Sequence, residues 1–255
     1  MREALYLRFA GPLQSWAGPR AAGFVTRTNH IPTRSGIEGF LAGIFGLPRG
    51  DFPEWFSLLE MSVRVDHPGT FCDDFQVVYP RYESLDFQQR LYQILTGKTR
   101  LAKPGEITPD SGNSRGGTQP AVLRRTYLAG AEFLVRIACD DHIDELNAAM
   151  CSPTFVSYLG KKAFAPTFPI YLGIGDSGKL KTLPAYVAPS QRRSPTPDRE
   201  QDRDNYRVTI HHLDPFGGES RENAIAIPTV DSRDEWLKQV GAALTRRSIP
   251  QHLAH

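Results

Sequence analysis

Ala4-Leu5-Tyr6-Leu7-Arg8-Phe9, closed by Gly11-Pro12, is the stretch on which the fold turns. Its apolar and aromatic residues, interrupted only by Arg8, make a short β-prone run, and the Gly-Pro pair ends it, so it is read as a first strand. A loop follows to about Pro32. Thr33 or Ser35 then caps a helix in which Ile37, Phe40, Leu41, Ile44 and Phe45 recur at helical spacing. Gly36, Gly39, Gly43 and Gly46 form a second pattern on the same element, although each interior glycine costs a helix roughly 1 kcal/mol relative to alanine. Close packing of the helix on a sheet is the first explanation. Contact with a nucleic acid or a neighbouring subunit is the second.

Further along, Met61–Asp66 and Phe75–Tyr79 read as strands on either side of a Pro68-Gly69 turn, which suggests a hairpin. Residues 80–126 are polar and basic, rich in glycine and without an apolar period, as befits an inserted arm that orders on a partner. Ala131–Ala138 restores a strand, and Asp140 or Asp141 caps a helix carrying Ile143, Leu146 and Met150. The order strand, helix, strand, strand, arm, strand, helix predicts an α+β protein with a ferredoxin-like or RRM-like domain, built from residues 1–79 and 127–175. Beyond it, a strand is expected near Phe168–Leu172 and a surface loop over 189–204. Strands at Tyr206–Ile210 and Ala224–Ile227 and a helix at Asp234–Leu244 complete a smaller, β-rich C-terminal extension, 176–255.

The 255 residues are 40% hydrophobic and carry a net charge of +2, which does not by itself announce a polyanionic partner. The distribution says more. Residues 1–50 hold six arginines against Glu3 and Glu38, and residues 90–127 hold seven basic side chains against Glu106 and Asp110. Charge concentrated in this way suits a phosphate backbone that runs over part of the surface. The N-terminal apolar run is too short and too soon interrupted for a signal peptide or a membrane span, so a cytoplasmic protein without membrane contact is expected. Cys72, Cys139 and Cys151 contain no C-x-x-C pair, which argues against a zinc site or a disulfide framework. No metal and no cofactor is expected. There is no H-x-x-x-H motif and no P-loop, and His211 and His212, adjacent on a strand, point to opposite faces.

Three segments, L-R-F-A-G-P-L-Q-S-W at 7–16, P-T-R-S-G-I-E-G-F-L-A-G-I-F-G at 32–46 and Y-L-G-K-K at 158–162, resemble in order and spacing the CasD family of type I-E CRISPR Cascade subunits, within the repeat-associated RNA-binding (RAMP) superfamily. The likeness is clearest over 4–66 and 133–173. It implies a non-catalytic subunit that holds the 5′ handle of the guide RNA in antiviral defence. It further implies that residues 80–126 form a β-hairpin thumb against the backbone subunit CasC, with the large subunit CasA as a further partner and target DNA reached through the complex.

Several residues then take candidate roles in binding RNA. Gly160 would bring the main chain within hydrogen-bonding range of phosphate or sugar, Lys161 and Lys162 supply charge, and Tyr158 a stacking face. Gln14, Ser15 and Trp16 lie just beyond the first strand, where amide, hydroxyl and indole groups suit bases or phosphates; Trp16 is equally suited to the core. Arg27, Thr28 and Arg34 precede or open the helix, where unpaired N–H groups favour an anion. In the arm, Lys98, Arg100, Lys103, Arg115, Arg124 and Arg125 are candidates for a nucleic-acid backbone.

The rival reading is a metal-independent endoribonuclease that processes precursor guide RNA, as some relatives in other CRISPR subtypes do. Such chemistry needs a general base, a general acid and a cation, for which His30, His67, Tyr158 and Lys161 are the candidates. The resemblance argues against it, because in type I-E complexes CasE is the nuclease. A scaffold whose basic arm binds only protein is the third reading.

Overall fold

A computed structural model of the chain describes residues 2–16, 18, 25–48, 50–78, 97, 121–188, 205–215 and 218–247. The chain divides into two units: Met1–Pro19, Arg27–Cys72 and Thr126–His255 make the first, and Arg20–Thr26 and Asp73–Arg125 the second.

The first unit is built on a seven-stranded sheet. Its strands are β1 (Glu3–Ala10), β4 (Glu60–His67), β7 (Glu132–Ala138), β8 (Tyr171–Asp176), β9 (Ala185–Tyr186), β10 (Asn205–Leu213) and β11 (Glu219–Val230). They lie in the order β8-β1-β7-β4-β10-β11-β9, and every neighbouring pair is antiparallel except β11 with β9. The described helices are α1 (Arg34–Phe45), α2 (Ile143–Cys151) and α3 (Arg233–Ala243). This is an α+β architecture, and residues 205–230 continue the sheet that β1 begins.

Both faces of the sheet are covered, which explains why β1 and β7 read as almost continuous apolar runs. On one face Leu5, Leu7 and Phe9 of β1 and Phe133, Val135 and Ile137 of β7 pack with Ile37, Phe40, Leu41 and Ile44 of α1 and Ile143, Leu146 and Met150 of α2. On the other, Ala4, Tyr6, Leu134 and Ile210 meet Trp236 and Val240 of α3. That second face also buries charge. Glu132 receives Arg8 Nε at 2.9 Å and Arg233 Nη1 at 2.7 Å, while Arg64 is bidentate to Asp66 at 2.6 and 2.8 Å. Although burial opposes ionisation, the two guanidiniums hold the Glu132 carboxyl below its ordinary value.

α1 begins where its sequence says it should, with the Thr33 hydroxyl accepting from Gly36 N, and ends at Gly46 in the left-handed conformation. Its glycines do not share one cause, and none is accounted for by packing on the sheet. A Cβ at Gly36 would meet the Trp16 ring at 2.9 Å, Gly43 is in ordinary contact with Ser157, and Gly46 is the helix cap, whereas a Cβ at Gly39 would have no neighbour within 4 Å.

The expected hairpin between Met61–Asp66 and Phe75–Tyr79 does not form. β4 pairs with β7 and β10, whereas β5 (Thr70–Val78) pairs with β6 (Ala121–Ala129) in a second, four-stranded sheet. The Pro68-Gly69 turn therefore passes the chain from one sheet to another. β2 (Leu13–Gln14) lies on the final part of β6, through Leu13↔Ala129 and Gln14↔Leu128. In the second unit, β3 (Val25–Thr26) runs parallel to β6 at Arg124 and Arg125. The strand expected near Phe168–Leu172 lies a little later, at β8, where Leu244 and Thr245 pack closely on Gly173 and Gly175.

Candidate nucleic-acid interface

After β1 the chain turns through Gly11-Pro12 and runs as β2 into Ser15 and Trp16. Ser15 N donates to Leu159 O at 3.0 Å, which ties this segment to the loop carrying Tyr158–Lys162. Gly160 has φ +84°, and a Cβ there would lie inside the contact shell of the Ser15 carbonyl, with Ser15 C only 2.7 Å away. Glycine at 160 is thus required twice over, by backbone conformation and by the approach of Ser15. The loop also closes on itself, with Leu159 N donating to Phe164 O at 2.9 Å and Phe164 N to Lys161 O at 2.8 Å. Leu159 anchors it in the core.

On the other side of Trp16 the partners are Thr28 and Asn29. Trp16 N donates to the Thr28 hydroxyl at 2.7 Å, and Asn29 N donates to Trp16 O at 2.9 Å. A continuous series of contacts therefore joins 27–29, 14–16 and 158–162. At its surface stand Arg27 and Lys162, both exposed, and Tyr158, 40% exposed, with Ser15 half-buried.

Lys161 and Lys162 differ although they are neighbours. The Lys161 ammonium donates to the Tyr127 hydroxyl at 3.1 Å and lies 4.3 Å from the centre of the Tyr127 ring, with Phe164 behind it at 6.0 Å. Such a cation–π contact is worth about 0.5–2 kcal/mol and holds the loop in place. Among the described residues, Lys162 has no such partner. Tyr127 was not singled out by the sequence, because its pairing with Lys161 joins positions 34 residues apart.

Three candidate residues have their side chains turned inward. Gln14 is fully buried; its amide donates to Ala131 O at 2.8 Å and its carbonyl accepts from Trp16 Nε1 at 3.0 Å. Trp16 is 1% exposed and stacks on Phe9 at 5.5 Å between ring centres. Neither side chain presents a group outward, because a strand edge and the core have taken both. Arg34 donates from Nε to Glu38 at 2.8 Å, and from its two terminal nitrogens to Leu59 O and Phe56 O, each at 2.8 Å, with longer bonds to Leu213 O and Ser57 O. Its donors tie α1 to the segment before β4 and leave none for an anion. Thr28 is also buried. These four are supports of the surface formed by Ser15, Arg27, Tyr158, Gly160 and Lys162.

Of the arm candidates, Lys98, Arg100, Lys103 and Arg115 lie outside the described residues. Arg124 is exposed, with its guanidinium 5.8 Å from the Phe75 ring centre, and Arg125 is half-buried in the strand beside Thr26.

The residues considered for RNA cleavage are not joined. His30 packs edge-on to His211 at 5.7 Å, His67 lies opposite Glu132 in the β4–β7 register, and Lys161 is engaged with Tyr127. No hydrogen bond connects any two of His30, His67, Tyr158 and Lys161. Among the described residues, no three His, Cys, Asp or Glu side chains are grouped to hold a metal ion. His211 and His212 face opposite ways, His211 to Glu219 and His212 to Ser62 and Glu222.

Residues 4–235 match the model of a family described as CRISPR-associated protein (Cas_Cas5). The Escherichia coli (strain K12) protein "CRISPR system Cascade subunit CasD" is 29% identical over 185 residues, covering 68% of this chain and 71% of the relative. A chain of a solved CRISPR RNA-guided surveillance complex has the same fold, with a TM-score of 0.67 at 22% identity over 94% of this chain and 98% of that one. A crystal structure of a Cas protein aligns with a TM-score of 0.54 at 20% identity, over 90% of this chain and all of the other.

Proposed function

Because the chain belongs to the CRISPR-associated Cas5 family, as a CasD-type subunit of a Cascade-type surveillance complex, we propose that it holds the 5′ handle of the guide RNA without cutting it. The observation that carries this reading is the contact of Ser15 with Leu159 and Gly160, which joins two distant segments into one surface bearing Arg27, Tyr158 and Lys162. A bent single strand can lie there with its phosphates near the two exposed cations and a base against Tyr158, on a loop whose Gly160 admits the Ser15 carbonyl and donates its own N–H to Tyr158 O at 3.0 Å. Lys161 acts from behind, through Tyr127, by fixing the loop.

The supporting domain is ferredoxin-like in this reading. β1, α1, β4, β7, α2 and β8 follow one another as strand, helix, strand, strand, helix, strand, and their four strands lie side by side as β8-β1-β7-β4. Residues 80–126 are the thumb directed at CasC, and CasA is the other protein neighbour. Target DNA is met through the assembled complex in the cytoplasm. Catalysis is assigned elsewhere in the complex, a reading supported by the engagement of Lys161 with Tyr127 and of His30 with His211.

The test is to incubate the purified chain with labelled repeat RNA in the absence of metal and follow both mobility and length. A shift without a shorter product is the expected result. A cleavage product lost on His30→Ala or His67→Ala would establish the endoribonuclease instead, and a shift that requires CasC would make binding dependent on assembly.

A further inference from the structure

β8 ends the order of the seven-stranded sheet: β1 takes one of its edges, and no other strand of that sheet takes the second. A free edge is a row of unpaired N–H and C=O groups on which another chain adds a strand, and proteins blunt such edges with lysine, with proline or with a covering segment. Tyr171–Asp176 contains no lysine, arginine or proline, and its single charge, Asp176, stands at its last position. Its second edge is covered instead by the chain that leaves α3.

Ile174 N donates to Thr245 O and Thr245 N to Ile174 O, each at 2.8 Å, as one closely spaced pair of an antiparallel ladder. Arg246 extends the cover, with Nη2 donating to Tyr171 O at 2.7 Å and the guanidinium 5.8 Å from the Tyr171 ring centre. Arg247 fastens it: the guanidinium pairs with Glu3 of β1 and, at 3.0 Å, with Asp144 of α2, while the Arg247 carbonyl accepts from Asn147 Nδ2 at 3.3 Å. β8 is shaped to receive this segment. Gly173 has φ +135°, and a Cβ there would stand 3.0 Å from Thr245 O; a Cβ at Gly175 would stand 2.6 Å from Leu244 Cδ2.

Leu244 is buried, whereas Thr245 and Arg246 are exposed. A segment held by one ladder pair and surface side chains opens without the core unfolding. Once open, it leaves the N–H and C=O of Ile174 pointing outward, and the strand that fits them best is β8 of a second copy. With Ile174 opposite Ile174, Gly173 falls opposite Gly175 and Leu172 opposite Asp176, so no like charges meet and the arrangement is two-fold symmetric. We propose that residues 244–247 are a strap that closes the β8 edge and keeps the chain monomeric, and that β8 strands of two copies pair about Ile174 when the strap is released.

The test uses two variants of the full chain: one shortened to end at Leu244, and Thr245→Pro. The proline removes one N–H of the pair, and Leu244 already has the extended backbone, φ −121° and ψ 145°, that precedes proline. Near-ultraviolet circular dichroism checks the fold, and light scattering after size exclusion gives the mass. The intact chain should be monomeric, and both variants should dimerise with an association constant about tenfold or more above that of the intact chain. Hydrogen exchange of the peptide holding Ile174 should be slow in the intact chain, about tenfold or more faster in a dilute variant, and slow again in the dimer. Folded variants that stay monomeric at high concentration overturn the proposal, as does a dimer in which Ile174 exchanges as fast as in the dilute chain, or an intact chain that dimerises equally well. If shortening unfolds the chain, Thr245→Pro, which keeps Leu244, Arg246 and Arg247, decides the matter. Loss of the fold in both variants also overturns the proposal, because residues 244–247 would then be part of the core and not a releasable strap.

Discussion

Replacing Gly160 with alanine tests the join at the centre of the candidate interface. At φ +84° an L-residue is strained by about 1–2 kcal/mol, and the new Cβ would collide with the Ser15 carbonyl. Because the obstacle is backbone, no rotamer change relieves it. The two segments must separate, and the 3.0 Å bond from Ser15 N to Leu159 O is weakened or lost, at a net cost of about 1 kcal/mol. The total, ~2–3 kcal/mol, corresponds to a fall in melting temperature of roughly 5–10 °C for a chain of this size. Thermal melting monitored by circular dichroism gives the stability, and a mobility shift with repeat RNA at a temperature well below the transition gives the affinity, which should drop at least tenfold. Gly39→Ala serves as the control: with open space around it, this substitution should stabilise the chain by up to about 1 kcal/mol and leave RNA binding unchanged. A Gly160→Ala chain that melts and binds like the original would refute the reasoning, because neither the left-handed backbone nor the approach of Ser15 would then matter.

Lys162→Ala should remove one phosphate contact, lowering affinity several-fold at moderate salt and making the log–log salt slope shallower by about 0.7, with melting unaltered. Lys161→Met should behave differently: it breaks the contact with Tyr127, so melting falls by a few degrees and the salt slope changes little. Glu132 governs the response to acid. Its folded pKa lies below the unfolded value, so its contribution is complete above the ordinary carboxyl range and is lost as pH falls through the folded value. Glu132→Gln should cost about 3 kcal/mol at neutral pH, by leaving Arg8 and Arg233 without their carboxylate, and should flatten the decline in urea-unfolding stability on acidification. An unchanged acid profile would show that the carboxylate is not held by those arginines.

α1 was legible because Ile37, Phe40, Leu41 and Ile44 recur with a helical period and Thr33 supplies a cap. β1 and β7 were legible as apolar runs between turn residues. The partnering of strands was not. Nothing local to Pro68-Gly69 separates a hairpin turn from a bend between two sheets, since the difference lies in whether β4 finds β7 and β10 across gaps of more than 60 residues. The same limit applied at the site. Gln14-Ser15-Trp16 was correctly located at the end of the first strand, but the side of the chain each residue faces depends on Ala131, Phe9 and Thr28, which the local sequence does not bring together. Arg34 looked like a free cation at a helix start because its acceptors are carbonyls at 56–59 and 213.

The most direct measurement is ultraviolet crosslinking of handle-labelled guide RNA in the assembled complex, with the attached peptides identified by mass spectrometry. The handle should crosslink to the peptide containing Tyr158 and Lys162 and to those containing Ser15 or Arg27, with the RNA recovered uncut. Handle crosslinks confined to other peptides, or RNA shortened by this chain, would contradict the account.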